Sequence, residues 1–223
     1  MKRTTVVFLC MLMLLAALGG CRTEAAMSED EFFELCRTGT PPEIKAAIEG
    51  GADATAQSEY DWRTPLMHAA ERNNNPEVLR VLIQAGADVN AMNYYGYTAL
   101  MNAAERNKNP EVLRVLIQAG ADVNEKDPKE EWTALFHAAW LNNNPEVSNV
   151  LIQAGANVNA KSISGSTPLM MAAQDNNPEV LNVLIRAGAE VNAKDNDGRT
   201  ALDLARAGNK LEFVSILEAA ANK

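Results

Sequence analysis

The feature that most constrains the fold is an internal repeat that runs through nearly the whole chain. A Thr-x-Leu motif recurs in steps of 34, 35, 34 and 33 residues, at Thr64, Thr98, Thr133, Thr167 and Thr200. Each of the first four copies continues with a pair of alanines and later with a ten-residue segment that is identical in residues 81–90 and 115–124. A unit this short cannot bury its hydrophobic face alone, so the repeats are expected to stack into one continuous core.

Each repeat carries signals for two helices. Asn-Pro-Glu stands at the start of the second apolar stretch, at residues 75–77, 109–111, 144–146 and 177–179. Asn is a favoured N-cap, Pro suits the first helical position, and Glu interacts favourably with the helix dipole there. Each stretch is followed by a glycine that can adopt the left-handed conformation ending a helix, at Gly86, Gly120, Gly155 and Gly188. The paired alanines predict a first helix that packs closely against its neighbours.

This pattern resembles the ankyrin repeat, whose period is about 33 residues and whose signature is matched by Thr64-Pro65-Leu66. The resemblance implies an all-α ankyrin-repeat α-solenoid, in which helix-turn-helix repeats are joined by β-turn or hairpin loops, over residues 28–223. Ser28 with Glu31 predicts a capping box at its first helix. The predicted units are an N-terminal capping repeat at 28–58, four repeats at 59–92, 93–126, 127–161 and 162–194, and a C-terminal capping repeat at 195–223.

The chain departs from the ankyrin pattern in two ways. The signature histidine of the family is replaced in successive copies by Met67, Met101, Phe136, Met170 and Asp203. Since that histidine hydrogen-bonds between repeats in the family, adjacent repeats are expected to dock by apolar packing instead. Three repeats also have one additional residue between their two helices, which is expected only to lengthen a loop.

The N-terminal residues have the organisation of a bacterial lipoprotein signal. Lys2 and Arg3 precede an uncharged apolar run over residues 6–18, which is shorter than the roughly 20 apolar residues of a membrane-spanning helix but suits a signal peptide. The run ends in Leu18-Gly19-Gly20-Cys21, which resembles the lipobox. The resemblance implies a signal peptide over 1–20, lipid attachment at Cys21 and a polar tether over 21–27. Ordinary secretion without a lipid is the alternative.

The residue after the cysteine bears on the choice of membrane. In bacteria with two membranes an Asp at this position usually retains a lipoprotein at the inner membrane, and this chain has Arg22 there. Several acyl chains on one residue hold a protein stably, where a single chain does not. We therefore expect a lipid-anchored protein of the bacterial cell envelope, at the periplasmic face of the outer membrane if the cell has two membranes.

Charge and cysteine content exclude several classes of protein. The formal net charge is −9, and an acidic protein repels phosphate backbones, so nucleic acid is not an expected partner. Of the three cysteines, Cys10 lies in the predicted signal and Cys21 at its end, which leaves only Cys36 in the folded part. No internal disulfide framework is then possible. Cys36 lies beside Phe32 and Phe33 and is predicted to be a small buried hydrophobic residue.

The sequence offers no candidate for catalysis or cofactor binding. It lacks the glycine-rich nucleotide-binding motifs, the His-Glu-x-x-His motif and the Cys-x-x-Cys motif. Its two histidines, His68 and His137, occupy the same repeat position two repeats apart, which is too far for one shared metal ion. They are predicted to be satisfied structural histidines. We expect no enzyme activity, cofactor, metal or small-molecule substrate.

The distribution of large aromatic residues indicates a binding surface. Ankyrin families bind partners with the tips of their β-turns and the exposed face of their first helices, and the resemblance implies the same surface here. All the Trp and Tyr residues fall in those regions and outside the repeated core positions, at Tyr60, Trp62, Tyr94, Tyr95, Tyr97, Trp132 and Trp140. Trp and Tyr dominate interface energies. Arg63, Arg72 and Arg106 are expected to flank them as part of a mixed-charge rim.

Simple packing between adjacent tips is the alternative explanation for these aromatics, particularly because Trp62 takes the place of the turn glycine. The favoured function is a protein–protein interaction module, acting as a membrane-tethered scaffold or regulator in the envelope. Two further functions stay open: a structural envelope protein that self-associates or contacts cell-wall polymer, and an effector acting on a host protein.

The lipid anchor can be tested by replacing its attachment residue. In Cys21→Ser the thioether cannot form, so the protein should incorporate no palmitate and should be recovered in the soluble fraction or as an uncleaved precursor. Cys36→Ala is the matched control and should be labelled like the wild type. Labelling with radioactive palmitate, followed by membrane fractionation, measures both properties. A Cys21→Ser protein that matures and sediments with membranes like the wild type would contradict the anchor.

Overall fold

The computed structural model describes residues 27–175 and 177–222, so the predicted signal peptide, Cys21 and most of the tether lie outside the described residues. Within this part of the chain there are twelve helices and no strand, which confirms the predicted all-α solenoid. The helices form six successive pairs: α1 (Glu29–Thr38) and α2 (Pro41–Glu49), α3 (Pro65–Arg72) and α4 (Pro76–Gln84), α5 (Ala99–Arg106) and α6 (Pro110–Gln118), α7 (Ala134–Leu141) and α8 (Pro145–Gln153), α9 (Pro168–Asp175) and α10 (Pro178–Arg186), α11 (Ala201–Ala207) and α12 (Leu211–Ala221).

Capping side chains determine where the helices begin. The Asn75 side-chain oxygen accepts a hydrogen bond from the backbone N–H of Glu77 at 3.1 Å, as its position predicts. The equivalent residues cap α6, α8 and α10 with the same oxygen: Asn109, Asn144 and Asn177. The repeated threonine caps a first helix in the same way: at the start of α3, Thr64 Oγ1 accepts a hydrogen bond from the backbone N–H of Met67 at 3.3 Å. The predicted capping box of Ser28 and Glu31 is confirmed at α1.

Glycines that follow the second helices reverse the chain as predicted. Gly86, Gly120, Gly155 and Gly188 have φ values of 99°, 93°, 92° and 90°, in the left-handed region that a side chain disfavours. Two hydrogen bonds close the first of these turns: the Gly86 N–H donates to the Ile83 carbonyl, and the next residue, Ala87, donates to Leu82. The chain therefore leaves each of these second helices with the same turn, and it enters the next repeat in the same direction.

The helices pack in two layers around a single core. Successive first helices contact one another, and so do successive second helices, while the two helices of each pair join the layers. The alanine pairs of the first helices are completely buried, which permits this close approach. The side chains that replace the family's histidine in the first four copies, Met67, Met101, Phe136 and Met170, are also buried in the core. The predicted apolar docking between repeats is therefore confirmed for these copies.

Buried asparagines add polar links that the sequence analysis missed. Asn107 follows α5, and its side-chain nitrogen donates to the carbonyls of Ala70 and Asn73 in the preceding repeat, both at 3.0 Å. Asn73 and Asn142 make the same pair of bonds one repeat earlier and one repeat later. These residues lie in the loop with the additional residue. The amide that satisfies these two carbonyls is not the additional residue, because the repeat with the shorter loop also has an asparagine, Asn176, directly after its first helix. That the insertion only lengthens a loop therefore stays a prediction.

A second row of asparagines links the loops that follow the second helices. The Asn90 side chain donates to the carbonyl of Gly120 at 2.9 Å and accepts from the backbone N–H of Asp122 at 2.9 Å. Asn124 and Asn159 repeat this two-way contact with the next repeat along. An amide has both a donor and an acceptor, so one side chain fixes the separation and the register of two repeats.

The one cysteine among the described residues, Cys36, lies on α1. Cys36 is completely buried, and burial raises the pKa of its thiol to about 12, so the thiol stays protonated at neutral pH and packs as a hydrophobic residue, as predicted. Among the described residues no helix has both the length and the apolar composition needed to cross a membrane.

Loss of one buried amide tests the importance of these links. In Asn107→Ala the carbonyls of Ala70 and Asn73 lose a donor inside the protein, so the free energy of unfolding should fall by about 1–3 kcal/mol. Asn74→Ala, in the same type of loop but exposed, is the control and should change stability by less than about 0.5 kcal/mol. Urea denaturation followed by circular dichroism compares the two. Equal stabilities for both variants would contradict a structural role of Asn107.

Candidate functional site

Five loops between successive repeats form one edge of the molecule, and we call them the tip loops: 58–63, 93–97, 127–132, 162–166 and 195–199. In each of them the first residue's N–H donates to the carbonyl of the last, at 3.0 Å. Each also contains one residue with positive φ: Trp62, Gly96, Glu131, Gly165 and Gly198. Trp62 thus has the backbone conformation of a turn glycine, with φ 58°, as its position in the repeat predicts.

Hydrogen bonds hold the tip loops in a defined conformation. The buried side chain of Asn93 accepts from the N–H groups of Tyr95 and Tyr97 at 2.9 Å, and Asp127 and Asp195 stabilise their loops in the same manner. Neighbouring loops are also joined, since the Tyr94 N–H donates to the Asp61 carbonyl at 2.9 Å. Side chains on this edge are therefore presented by an ordered backbone.

Three predicted site residues come together at the surface as what we call the tip aromatic cluster: Trp62, Tyr94 and Tyr95. Their exposed fractions are 52%, 64% and 60%. The rings of Trp62 and Tyr94 meet edge to face with centroids 5.6 Å apart, and those of Tyr94 and Tyr95 with centroids 5.4 Å apart. Tyr60 lies on the first tip loop and is 93% exposed. Large aromatic surface is thus displayed to solvent across two adjacent repeats.

The other three predicted aromatics form a separate group that is half-buried. Trp132 stacks on Phe136 with centroids 5.7 Å apart and meets Trp140 edge to face at 5.2 Å. Tyr97 lies against His137 at 4.7 Å, and all three side chains pack against the core. The expectation that Trp140 is exposed is therefore corrected, and Trp132 and Tyr97 give much of their surface to packing. The packing alternative holds for this group, because Trp132 and Trp140 pack on rings of their own repeat and Tyr97 packs on His137 of the next repeat.

The two histidines have different environments despite their equivalent positions. His68 Nδ1 accepts from Arg37 Nε at 3.2 Å, and burial, with the charges of Arg63 and Arg37, lowers the pKa of His68 to about 4. His68 is thus a satisfied neutral histidine, as predicted. His137 is completely buried, and within the described residues neither ring nitrogen makes a hydrogen bond. Its Nδ1 lies 3.6 Å from a carboxylate oxygen of Glu105 and its Nε2 lies 4.0 Å from one of Asp127, so His137 is a buried structural histidine between two carboxylates.

The predicted charged rim is organised around one buried carboxylate. Glu71, at the end of α3, contacts the guanidinium of Arg63 and lies 3.4 Å from Arg72 Nε and 3.6 Å from Arg106 Nε. Burial raises the pKa of Glu71, but the hydrogen bond and positive charge of Arg63, with help from Arg72, outweigh burial and lower it overall. Arg63 is mostly buried and is not the exposed rim residue expected, because it is committed to Glu71. Arg72 and Arg106 are exposed as expected.

A groove beside these arginines was missed by the sequence analysis. It is open, with a volume of about 800 Å³, and Lys108 and Leu141 line it together with Arg72 and Arg106. The signal that could have found it is the variation at one repeat position, where Arg72 and Arg106 are followed by Leu141. No cluster of three His, Cys, Asp or Glu side chains that could hold a metal ion occurs in the part of the chain that the structure describes.

Comparison with known proteins agrees with this architecture. The model of a protein family described as ankyrin repeats (3 copies) matches three overlapping stretches, residues 32–127, 95–162 and 135–223. These stretches together extend over residues 32–223, from within α1 to beyond α12, and include all five tip loops. No curated protein sequence matches the chain.

The two aromatic groups should respond differently to truncation. Trp132→Ala removes a ring that packs on Phe136, His137 and Trp140, so it should lower the free energy of unfolding by about 1–3 kcal/mol. Tyr95→Ala removes a mostly exposed ring and should change it by less than about 0.5 kcal/mol. Urea denaturation of both variants provides the comparison. If Trp132→Ala is as stable as Tyr95→Ala, Trp132 is not a packing residue.

Proposed function

The chain belongs to the ankyrin-repeat family, and from this premise we propose that it binds a partner protein through the tip aromatic cluster while tethered to a bacterial envelope membrane by Cys21. Ankyrin repeats are generally protein–protein interaction modules, and proteins built from them are typically non-enzymatic scaffolds. In this proposal the protein is a scaffold or regulator that holds its partner close to the membrane. A lipidated Cys21 with a tether over 21–27 would keep the first repeat within about 25 Å of the lipid surface.

The observation that carries the proposed binding site is the exposure of Trp62, Tyr94 and Tyr95 on an ordered backbone. Leaving three large rings in water is unfavourable unless a partner covers them. Because the tip loops are already held by hydrogen bonds, a partner would incur little ordering cost on association. Trp62 presents its ring from a left-handed backbone at φ 58°, which costs a non-glycine residue roughly 1 kcal/mol relative to glycine and which Glu131 shares at the equivalent loop position.

The proposed tether is supported by sequence alone. The apolar run over 6–18 and the residues Leu18-Gly19-Gly20-Cys21 supply the features that a lipoprotein signal needs. The absence of Asp after Cys21 supports the outer membrane in a cell with two membranes.

A cross-linking experiment identifies the partner and tests the site. A photoreactive phenylalanine is introduced at Tyr95 in living cells, and the adduct is identified by mass spectrometry. The same group at Gln118, an exposed residue at the end of α6, is the control. A single protein partner captured at Tyr95 and absent at Gln118 is the expected result. Adducts of the chain with itself would favour the structural envelope alternative.

Affinity for the captured partner then tests the aromatic side chains. Trp62→Gly should weaken binding by about 2 kcal/mol or more, which is roughly thirtyfold, because an interface anchor is lost. The stability of Trp62→Gly should hardly change, since the loss of the contact with Tyr94 is offset by relief of the left-handed backbone strain. Isothermal titration calorimetry measures the affinity, with Gln118→Ala as the control. Normal binding by Trp62→Gly and by Tyr95→Ala would show that the site has been assigned to the wrong edge.

A further inference from the structure

The groove at the ends of α3, α5 and α7 is the second built surface of the molecule. Glu71, Arg72, Glu105, Arg106, Lys108 and Leu141 contribute to its lining, and its volume is about 800 Å³. It lies at the C-terminal ends of the first helices, whereas the tip loops precede their N-terminal ends. Arg63 connects the two regions, because it belongs to a tip loop and contacts Glu71. We call this surface the arginine groove.

The arginine groove is cationic in a protein whose net charge is −9. Three guanidinium groups, those of Arg63, Arg72 and Arg106, share the single carboxylate of Glu71. Glu105 adds a second carboxylate, 3.0 Å from Arg106 Nη2, and Lys108 adds an exposed ammonium group. Cations thus outnumber carboxylates at this place, and an anionic group would be attracted there although it is repelled by most of the surface.

The arginines are also positioned for recognition. Both Arg72 and Arg106 direct Nε toward the same oxygen of the buried Glu71, and their side chains are still 62% and 57% exposed. The planar fork of a guanidinium is well suited to a carboxylate, and the exposed parts of both side chains can bind one while Nε stays beside Glu71. Glu71 therefore acts as an internal support that presents two arginine side chains to the groove.

An apolar side chain lies next to these cations. Leu141 ends α7 at the repeat position that Arg72 and Arg106 occupy in the two preceding repeats, and it is 48% exposed. Since it lines the same groove, it offers apolar contact beside the guanidinium groups. A free phosphate or another small anion would make no use of such a contact.

We propose that the arginine groove binds an acidic peptide segment of a protein partner, with a carboxylate on Arg72, Arg106 and Lys108 and a neighbouring apolar side chain on Leu141. This site adds a second contact to the partner interface, and it rests on the proposed function in taking the ligand to be a protein. It is distinct from the tip aromatic cluster, so either surface can fail a test without the other.

Selection from random peptides tests the groove without knowledge of the partner. The immobilised full chain is used to select from phage-displayed random dodecapeptides, beside chains carrying Arg106→Gln with Lys108→Glu. Arg80→Gln, which removes an arginine of an exposed ion pair on α4, is the matched control. Circular dichroism establishes that each variant is folded. One selected peptide is then synthesised, together with the same peptide in which every Asp and Glu is replaced by Asn and Gln.

The expected selection is rich in Asp or Glu next to Leu or Phe, from the wild type and from Arg80→Gln alike. The synthetic acidic peptide should bind the groove variant at least about tenfold more weakly than it binds the wild type. The peptide with Asn and Gln in place of Asp and Glu should bind the wild type at least about tenfold more weakly than the acidic peptide does. Selection of neutral or basic peptides, or acidic peptides that bind the groove variant normally, would overturn the proposal. Acidic peptides whose binding is lost in Trp62→Gly and kept in the groove variant would also overturn it, while leaving the proposed function intact.

Discussion

Asparagine amides that bridge neighbouring repeats are the interaction on which the rest of the structure depends. Asn107 satisfies two carbonyls of the repeat before it, and Asn124 both donates to and accepts from the repeat after it. Alanine and leucine packing supplies the driving force for stacking but has little directional preference. The amides fix the register, because a repeat that slips along its neighbour leaves buried carbonyls without donors. An ordered binding edge requires that register.

The tip loops show how this register serves recognition. The Tyr94 N–H donates to the Asp61 carbonyl only if the two repeats are in the correct register. This contact brings the ring of Tyr94 against that of Trp62. Gly96 lies so close to the next tip loop that a Cβ on the glycine would lie 2.1 Å from Pro128 Cδ. The exposed aromatic surface is thus assembled from two repeats and is displayed by neither one alone.

Buried charge connects the tip loops with the arginine groove. Arg63 extends from the first tip loop to Glu71, whose carboxylate also faces Arg72 and Arg106. One repeat further, His137 lies between Glu105 and Asp127, at 3.6 Å and 4.0 Å, and so between a groove residue and a tip-loop residue. The first helices therefore carry polar contacts from one end to the other. This arrangement places the two proposed binding surfaces at opposite ends of the same layer of first helices.

The sequence by itself determined the fold class and the starts of the second helices, because a 33- to 35-residue period, Asn-Pro-Glu caps and glycine turns are local signals that act within each repeat. It also determined that Trp62 replaces a turn glycine. Only the tertiary structure decided which aromatics are exposed: Trp132 and Trp140 pack on each other and against the core, and Tyr97 contacts His137 of the next repeat, whose position depends on the register of the stack. The same reason applies to Asn107, His137 and Glu71. Each of them has at least one partner in a neighbouring repeat, and no local pattern encodes which groups the packing of two repeats brings together.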